Sequence, residues 1–328
     1  MAQKDFLGYR SLVFQRYEEK RFDDILELAR EAGEKFPQHY SETVYWTACM
    51  RSVMGQPAQA MAALEAAMDQ GACWHPAFMA RDPDLASLRS QERFQAIVQR
   101  SGNMIAALDL KSRPDVLIYP PEGATADPPL LMALHGGADT AKQFSSYWTS
   151  ATKLGLLVAI PQSSQHRMNE HFWWGDPHST FDLGSSRARQ ELTTVYEKRL
   201  AAYQFDRDRS VVGGFSQGGA LAIDLALEGR IFPIKGFIAV VPAIHDVDHL
   251  LLLAETAAER RLKGWILVGE KDWGLPNITK FHREATRRGL QCHLEAAPGT
   301  GHEFPADFEL RLKKALDFVL PGLRPLSR

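Results

Sequence analysis

The chain has 328 residues, 45% of them hydrophobic and 24% charged, ordinary globular values for a protein with real cores and a length that suits two domains. A formal net charge of −2 and a pI near 6.6 exclude the basic bias of a protein that binds nucleic acid or an anionic membrane surface. Three scattered cysteines, Cys49, Cys73 and Cys292, argue against a disulfide framework or a zinc site, and no apolar run approaches the roughly 18 residues of a membrane span. The first residues carry charges every few positions and no apolar h-region, so a signal peptide is not expected and a cytoplasmic location is.

Residues 1–105 read as an all-helical domain. In "RFDDILELAREAGEKF" Phe22, Ile25, Leu28, Ala29 and Ala32 fall on one helical face, and "QPAQAMAALEAAMDQG" repeats the pattern with Ala60, Ala63, Leu64 and Ala67. A shift of 35 residues lays Phe22 on Pro57, Ile25 on Ala60 and Ala32 on Ala67. That is close to the ~34-residue period of helix-pair repeats. The segment resembles two degenerate tetratricopeptide repeats followed by a helical tail, "DPDLASLRSQERFQAIVQRS"; a plain helical bundle is the alternative. Two repeats are fewer than the ~3 needed for independent stability, so a homodimer involving this region is expected.

A linker is expected at 106–114, around the proline of "DLKSRPD", and from 115 to 328 the pattern changes. The apolar runs "DVLIYP", "PLLMALHGG", "LLVAIPQ", "SVVGGFS", "IKGFIAVVP", "GWILVGEKD" and "CHLEAAPG" read as strands. Several are separated by amphipathic stretches such as "SRARQELTTVYEKRLAAY", "GGALAIDLALEG" and "NITKFHREATRRG". The alternation predicts a mostly parallel sheet with helices on both faces, an α/β domain.

The stretch "VVGGFSQGGALAIDLAL" places Ser216 in G-x-S-x-G, between a strand and a helix. Gly214 and Gly218 stand where a sharp turn brings backbone segments together and exposes a nucleophile. A phosphate-binding loop is excluded because neither G-x-x-x-x-G-K-[ST] nor G-x-G-x-x-G is present. A nucleophilic serine needs a histidine base and an acid, which follow in the order Ser, Asp/Glu, His. Asp272 ends the strand "GWILVGEKD" and His302 follows "CHLEAAPGTG"; Asp246, Asp248 and Glu270 are rivals for the acid. For the oxyanion, the Gln217 N–H is one expected donor, and the Gly137 N–H of "LLMALHGGADT" the second. His135 is expected to brace that loop.

Residues 115–322 resemble the phospholipase/carboxylesterase group of α/β-hydrolases, which includes acyl-protein thioesterases. The matching pieces are "LHGGADT", "IPQSS", "GFSQGGALA", "GEKDWGLP" and "GTGHEFP". The resemblance implies an α/β-hydrolase fold preceded by a small helical-repeat-like domain, and Ser216, Asp272 and His302 as a triad. It further implies Gly137 and Gln217 as oxyanion donors, and cleavage of small-molecule carboxylic esters or thioesters through an acyl-enzyme, with no cofactor and no metal. Two departures stand out: the helical N-terminal half, and the group's H-G-x-G-D loop, which reads His135-Gly136-Gly137-Ala138-Asp139. A peptidase or amidase using the same triad, or a scaffold with a decayed site, are the alternative readings.

"HDVDH", residues 245–249, reads as a solvated loop rather than a metal cluster. "QHRMNEHFWWGDPH" carries three histidines and Phe172, Trp173 and Trp174. These aromatics, with Trp148 and Trp273, either pack a core or line an acyl pocket.

Overall fold

The computed structural model describes residues 5–123, 126–169, 171–175 and 186–323. It divides into two units that are not contiguous in sequence. One holds the residues up to Ser112 together with Gln165–Phe172, and the other holds Arg113–Ser164 and the chain from Trp173 onward.

The helical unit contains α1 (Phe6–Glu18), α2 (Phe22–Lys35), α3 (Tyr40–Val53), α4 (Pro57–Asp69), the short α5 (Pro76–Arg81) and α6 (Glu92–Lys111). Asp5 caps α1 by accepting from the Gly8 N–H at 2.9 Å, and proline opens both α4 and α5, where a missing N–H costs nothing. On α2 Ile25, Ala29 and Ala32 are buried, and on α4 Ala60, Leu64 and Ala67, the faces that the sequence pattern marks. α3 begins 34 residues after α1 and α4 begins 35 after α2, so the helices recur with the expected period. Residues 106–111, expected as linker, are the last turns of α6.

The second part of this unit is a two-stranded ribbon, β4 (Gln165–Met168) with β5 (His171–Trp173), whose last residue returns to the other unit. The ribbon was not anticipated. Asp109 Oδ1 accepts from the His166 backbone N–H at 2.9 Å and lies 2.8 Å from its Nδ1. Met168 forms a β-bridge with Trp74. The Asn169 side chain accepts from the Cys73 N–H and the Ser41 hydroxyl, and donates to the Gly71 carbonyl, each at 2.7 Å.

The other unit is built on a seven-stranded sheet of order β1-β3-β2-β6-β7-β8-β9. Its strands are β1 (Asp115–Tyr119), β2 (Pro129–Leu134), β3 (Leu157–Gln162), β6 (Asp206–Phe215), β7 (Gly236–Val240), β8 (Lys263–Gly269) and β9 (Gln291–Ala297). All neighbours pair in parallel except β1, which runs antiparallel to β3 at one edge. Every residue of β2 is buried, and alternate side chains enter opposite cores. Leu130, Met132 and Leu134 join α8 (Ser186–Thr194), α9 (Gln217–Glu228), α10 (Val247–Glu259) and α11 (Leu275–Arg287) on one face. Leu131 and Ala133 join α7 (Ala141–Trp148) and α12 (Phe308–Val319) on the other. In such a sheet ligands bind beyond the carboxyl ends of the strands, where the strand order reverses. No helix among the described residues is long and apolar enough to cross a membrane.

Candidate active site

β6 delivers Ser216 to the carboxyl end of the sheet, and α9 begins at the next residue. Ser216 has φ 52° and ψ −116°, a backbone that an L-residue adopts only when its surroundings impose it. Three backbone hydrogen bonds do so. The Ser216 N–H donates to the Val240 carbonyl at 2.9 Å, and its carbonyl accepts from Ala220 and Ala243, each at 3.0 Å. A Cβ on Gly214 would lie 2.2 Å from the Gly218 carbonyl oxygen, and one on Gly218 2.3 Å from that of Leu134. The turn therefore closes only with glycine on either side of Ser216.

Ser216 is partly exposed, whereas Asp272 is only 5% exposed. Ser216 Oγ lies 2.8 Å from His302 Nε2, and His302 Nδ1 lies 2.7 Å from Asp272 Oδ2. The other Asp272 oxygen accepts from the Gly274 N–H at 2.6 Å. With the carboxylate fixed on both oxygens, Nδ1–H donates to it and Nε2 faces the serine hydroxyl as an acceptor. The loop that carries His302 is tied to the end of β8: Lys271 N–H donates to the Thr300 carbonyl at 2.9 Å, and a Cβ on Gly269 would sit 2.3 Å from the Gly301 carbonyl.

The rival acids have other partners. Asp246 caps α10 by accepting from the His249 N–H at 2.9 Å, Asp248 pairs with Lys280 at 3.0 Å, and Glu270 accepts from the Gly299 N–H at 3.0 Å. "HDVDH" thus opens a helix instead of forming the expected loop, because Asp246 supplies the N-cap. His249 Nε2 lies 3.0 Å from the buried Asp224, and hydrogen bonding to Asp224 raises its pKa.

Gly137 is partly exposed in the loop between β2 and α7, and Gln217 is the first residue of α9, where backbone N–H groups point out of the helix. His135 is fully buried, with Nδ1 2.8 Å from the Gly136 carbonyl and Nε2 accepting from the Ser163 N–H at 3.3 Å. Burial lowers its pKa, so it holds the loop as a neutral ring. The Gln217 side chain accepts from the Trp174 N–H at 3.1 Å and donates to the Gly175 carbonyl at 2.7 Å, while Trp174 Nε1 donates to the His135 carbonyl at 2.8 Å. Trp174 and Gln217 therefore brace the loops at the site, a role no local pattern announces.

The aromatic residues expected to pack a core or line a pocket have different surroundings. Trp148 is wholly buried, its ring filling the space that a side chain at Gly213 would occupy. Trp173 and Trp174 are buried too, and Phe172 belongs to the helical unit, its ring 4.5 Å from that of His166. His178, the third histidine of that stretch, lies outside the described residues. Trp273 alone of this set is both exposed, at 41%, and stacked on His302.

Among the described residues two groups bring together side chains able to hold a cation: His39, Glu42 and His171, and Cys49, Asp82 and Asp84. Glu42 already accepts two hydrogen bonds of 2.8 Å from Arg10. Burial alone would raise its pKa, but Arg10 brings it below the usual value.

The family profile described as "A/B hydrolase-like, N-terminal domain" matches residues 11–105, the helical half. Over 108 residues, 32% of this chain, the protein is 27% identical to a bifunctional acetylxylan esterase/xylanase of Neocallimastix patriciarum. The match spans only 14% of that relative's length. Among solved structures, an uncharacterized protein from Bacillus cereus ATCC 10987 aligns over 97% of this chain and 99% of its own, with a TM-score of 0.53 and 22% identity. S-formylglutathione hydrolase from Staphylococcus aureus aligns over 63% of this chain and 92% of its own, with a TM-score of 0.48 and 17% identity. The chain has an α/β-hydrolase fold preceded by an all-helical region.

Proposed function

We propose that the protein is a serine hydrolase that cleaves carboxylic esters through an acyl-enzyme, with Ser216 as nucleophile, His302 as general base and acid, and Asp272 as the group that orients His302. The observation that carries this reading is the unbroken relay, 2.8 Å from Ser216 Oγ to His302 Nε2 and 2.7 Å from His302 Nδ1 to Asp272, ending on a serine held in a strained turn. The name of the acetylxylan esterase relative supports an ester as the bond.

In acylation the Ser216 proton passes to His302 Nε2 as Oγ bonds the carbonyl carbon. The Gln217 and Gly137 N–H groups take up the developing oxyanion. As the carbon–alkoxide bond breaks, Nε2 returns the proton to the alcohol. Water repeats the sequence on the acyl-enzyme and releases the acid. Buried and doubly hydrogen-bonded, Asp272 steadies the imidazolium in both halves.

The test is a fluorophosphonate probe with mass-spectrometric mapping, beside p-nitrophenyl esters and matched peptide anilides. Labelling at Ser216 with ester turnover is expected, both lost in Ser216→Ala, with kcat down by ~10⁶. Anilide cleavage outrunning ester cleavage would move the reading to an amidase. Wild-type turnover in Ser216→Ala would remove Ser216 from the mechanism.

A further inference from the structure

We propose that Gln162 is a positioning residue for the oxyanion site: its side chain straps the two ends of the loop that carries Gly137, an assignment that rests on the ester-hydrolase reading above. Gln162 is the last residue of β3, the strand paired in parallel with β2, from whose end the loop leaves. Its Oε1 accepts from the Ala141 N–H at 2.8 Å, at the first turn of α7. Its Nε2 donates to the Ser163 carbonyl at 3.1 Å and reaches His135 Nε2 at 3.4 Å. The orientation of the amide is fixed by these partners, because a backbone N–H only donates and a carbonyl only accepts. One side chain thus holds His135, where the loop starts, and Ala141, where it ends.

That loop needs holding. Ala138 has φ 67°, and a Cβ on Gly136 would lie 2.6 Å from Asp139 Oδ2, so the chain curls tightly back on itself. Backbone of this kind persists only where its surroundings over-determine it. At the near end two donors, the Ser163 N–H at 3.3 Å and the Gln162 amide, face His135 Nε2, which therefore accepts. The other ring nitrogen then carries the hydrogen and donates to the Gly136 carbonyl at 2.8 Å. At the far end the Ala141 N–H belongs to the first turn of α7, whose N–H groups have no partner within the helix, and Gln162 supplies one. A backbone N–H stabilises an oxyanion only if it is aimed before the charge develops, and a displacement of about an ångström removes much of its effect. Without Gln162 the two ends of the loop rest on separate anchors, and the Gly137 N–H loses its fixed direction.

The experiment compares wild type with Gln162→Met, which keeps the bulk and loses both contacts, and Gln162→Asn, which keeps the amide but is one methylene too short to span them. Active molecules are counted by fluorophosphonate labelling of Ser216, and turnover of p-nitrophenyl propionate is expressed per labelled serine. In both variants kcat per labelled serine should fall about tenfold, with KM within about twofold of wild type. Ethyl trifluoromethyl ketone gives a second readout. Ser216 Oγ adds to its carbonyl carbon, the serine proton passes to His302, and the carbonyl oxygen becomes an oxyanion with no leaving group to expel. Its inhibition constant should rise about tenfold as well, a change that a loosened fold does not produce in the molecules that still label. A labelled fraction that falls while turnover per labelled serine holds would overturn the proposal, for Gln162 would then serve folding alone. So would full turnover in Gln162→Asn, a loss confined to KM, or a ketone that binds all three proteins equally. Failure of the underlying reading looks different: wild type would turn over no ester and take up no fluorophosphonate at Ser216.

Discussion

At the scale of single residues, the site is defined by what each acid is already holding. Asp272 is buried with one oxygen on the Gly274 N–H and the other on His302, whereas Asp248 is paired with the exposed Lys280. Asp272→Asn is expected to lower kcat by ~10⁴, because the amide can hold the wrong imidazole tautomer. Asp248→Asn should leave ester turnover within about twofold, since surface ion pairs contribute little. Equal losses in the two variants would contradict this ranking. Ala138 has φ 67°, a left-handed backbone that favours glycine. Ala138→Gly should relieve about 1 kcal/mol of strain, less the entropy glycine loses, a net gain of a few tenths readable by urea titration. His135 gives a pH prediction. Burial lowers its pKa from the usual 6.5, so the unfolded chain takes up a proton that the native one refuses. Its contribution to stability is therefore present above pH 6.5 and lost as pH falls from there towards the native value. His249, raised by Asp224, works in the opposite direction, with stability present below 6.5 and lost as pH rises through its native pKa. Comparing His135→Asn with wild type isolates the first effect: the variant should be less stable at pH 7 yet lose less between pH 7 and 5.

At the scale of elements, the turn joining β6 to α9 is the most constrained piece of backbone. An added Cβ at Gly214 or Gly218 meets main-chain atoms at 2.2 and 2.3 Å, and main chain cannot swing away as a side chain can. At Gly219 the nearest approach is 3.1 Å, which a shift of a few tenths of an ångström relieves. Gly214→Ala and Gly218→Ala should each destabilise by roughly 3 kcal/mol or more, and Gly219→Ala by about 1 kcal/mol. Thermal unfolding of the three variants checks the order; a Gly219→Ala loss as large as the others would contradict it. Next to this turn Val241 has φ 40°, exceptional for a β-branched residue, and its N–H donates to the Leu267 carbonyl at 2.7 Å. The strain at Ser216 is thus shared by the strand end that receives its N–H.

At the scale of the whole molecule, the helical unit owns a piece of chain that lies, in sequence, inside the other unit. Residues 165–172 leave after β3 and have their hydrogen bonds met by Asp109, Cys73, Ser41 and Gly71. A chain beginning at Arg113 would keep every strand of the large sheet but leave this ribbon without those partners. Unsatisfied backbone and an uncovered apolar edge favour aggregation. The shortened chain should therefore be largely insoluble, or label at Ser216 far more weakly than full-length protein at equal concentration. A soluble, monomeric shortened chain with full labelling would show that the ribbon folds on its own.

What the sequence determined by itself was whatever rests on short-range rules. Short apolar runs suffice for the seven strands of the sheet and period-3.6 patterns for the recurring helices, and glycines two residues either side of Ser216 announce a turn because only their missing side chains let it close. Tertiary structure decided what depends on distant partners. The ribbon's membership of the helical unit rests on bonds such as Asn169 to Cys73, 96 residues apart, which no window of sequence contains. The same holds for the aromatics. Trp148, Trp174 and Trp273 are one residue type, and their sequence neighbours do not distinguish a core filler, a brace for the loops at the candidate site and an exposed ring stacked on a histidine. Only the space around each ring does: Gly213 opposite Trp148, Gln217 and His135 around Trp174, and His302 and His245 stacked against Trp273.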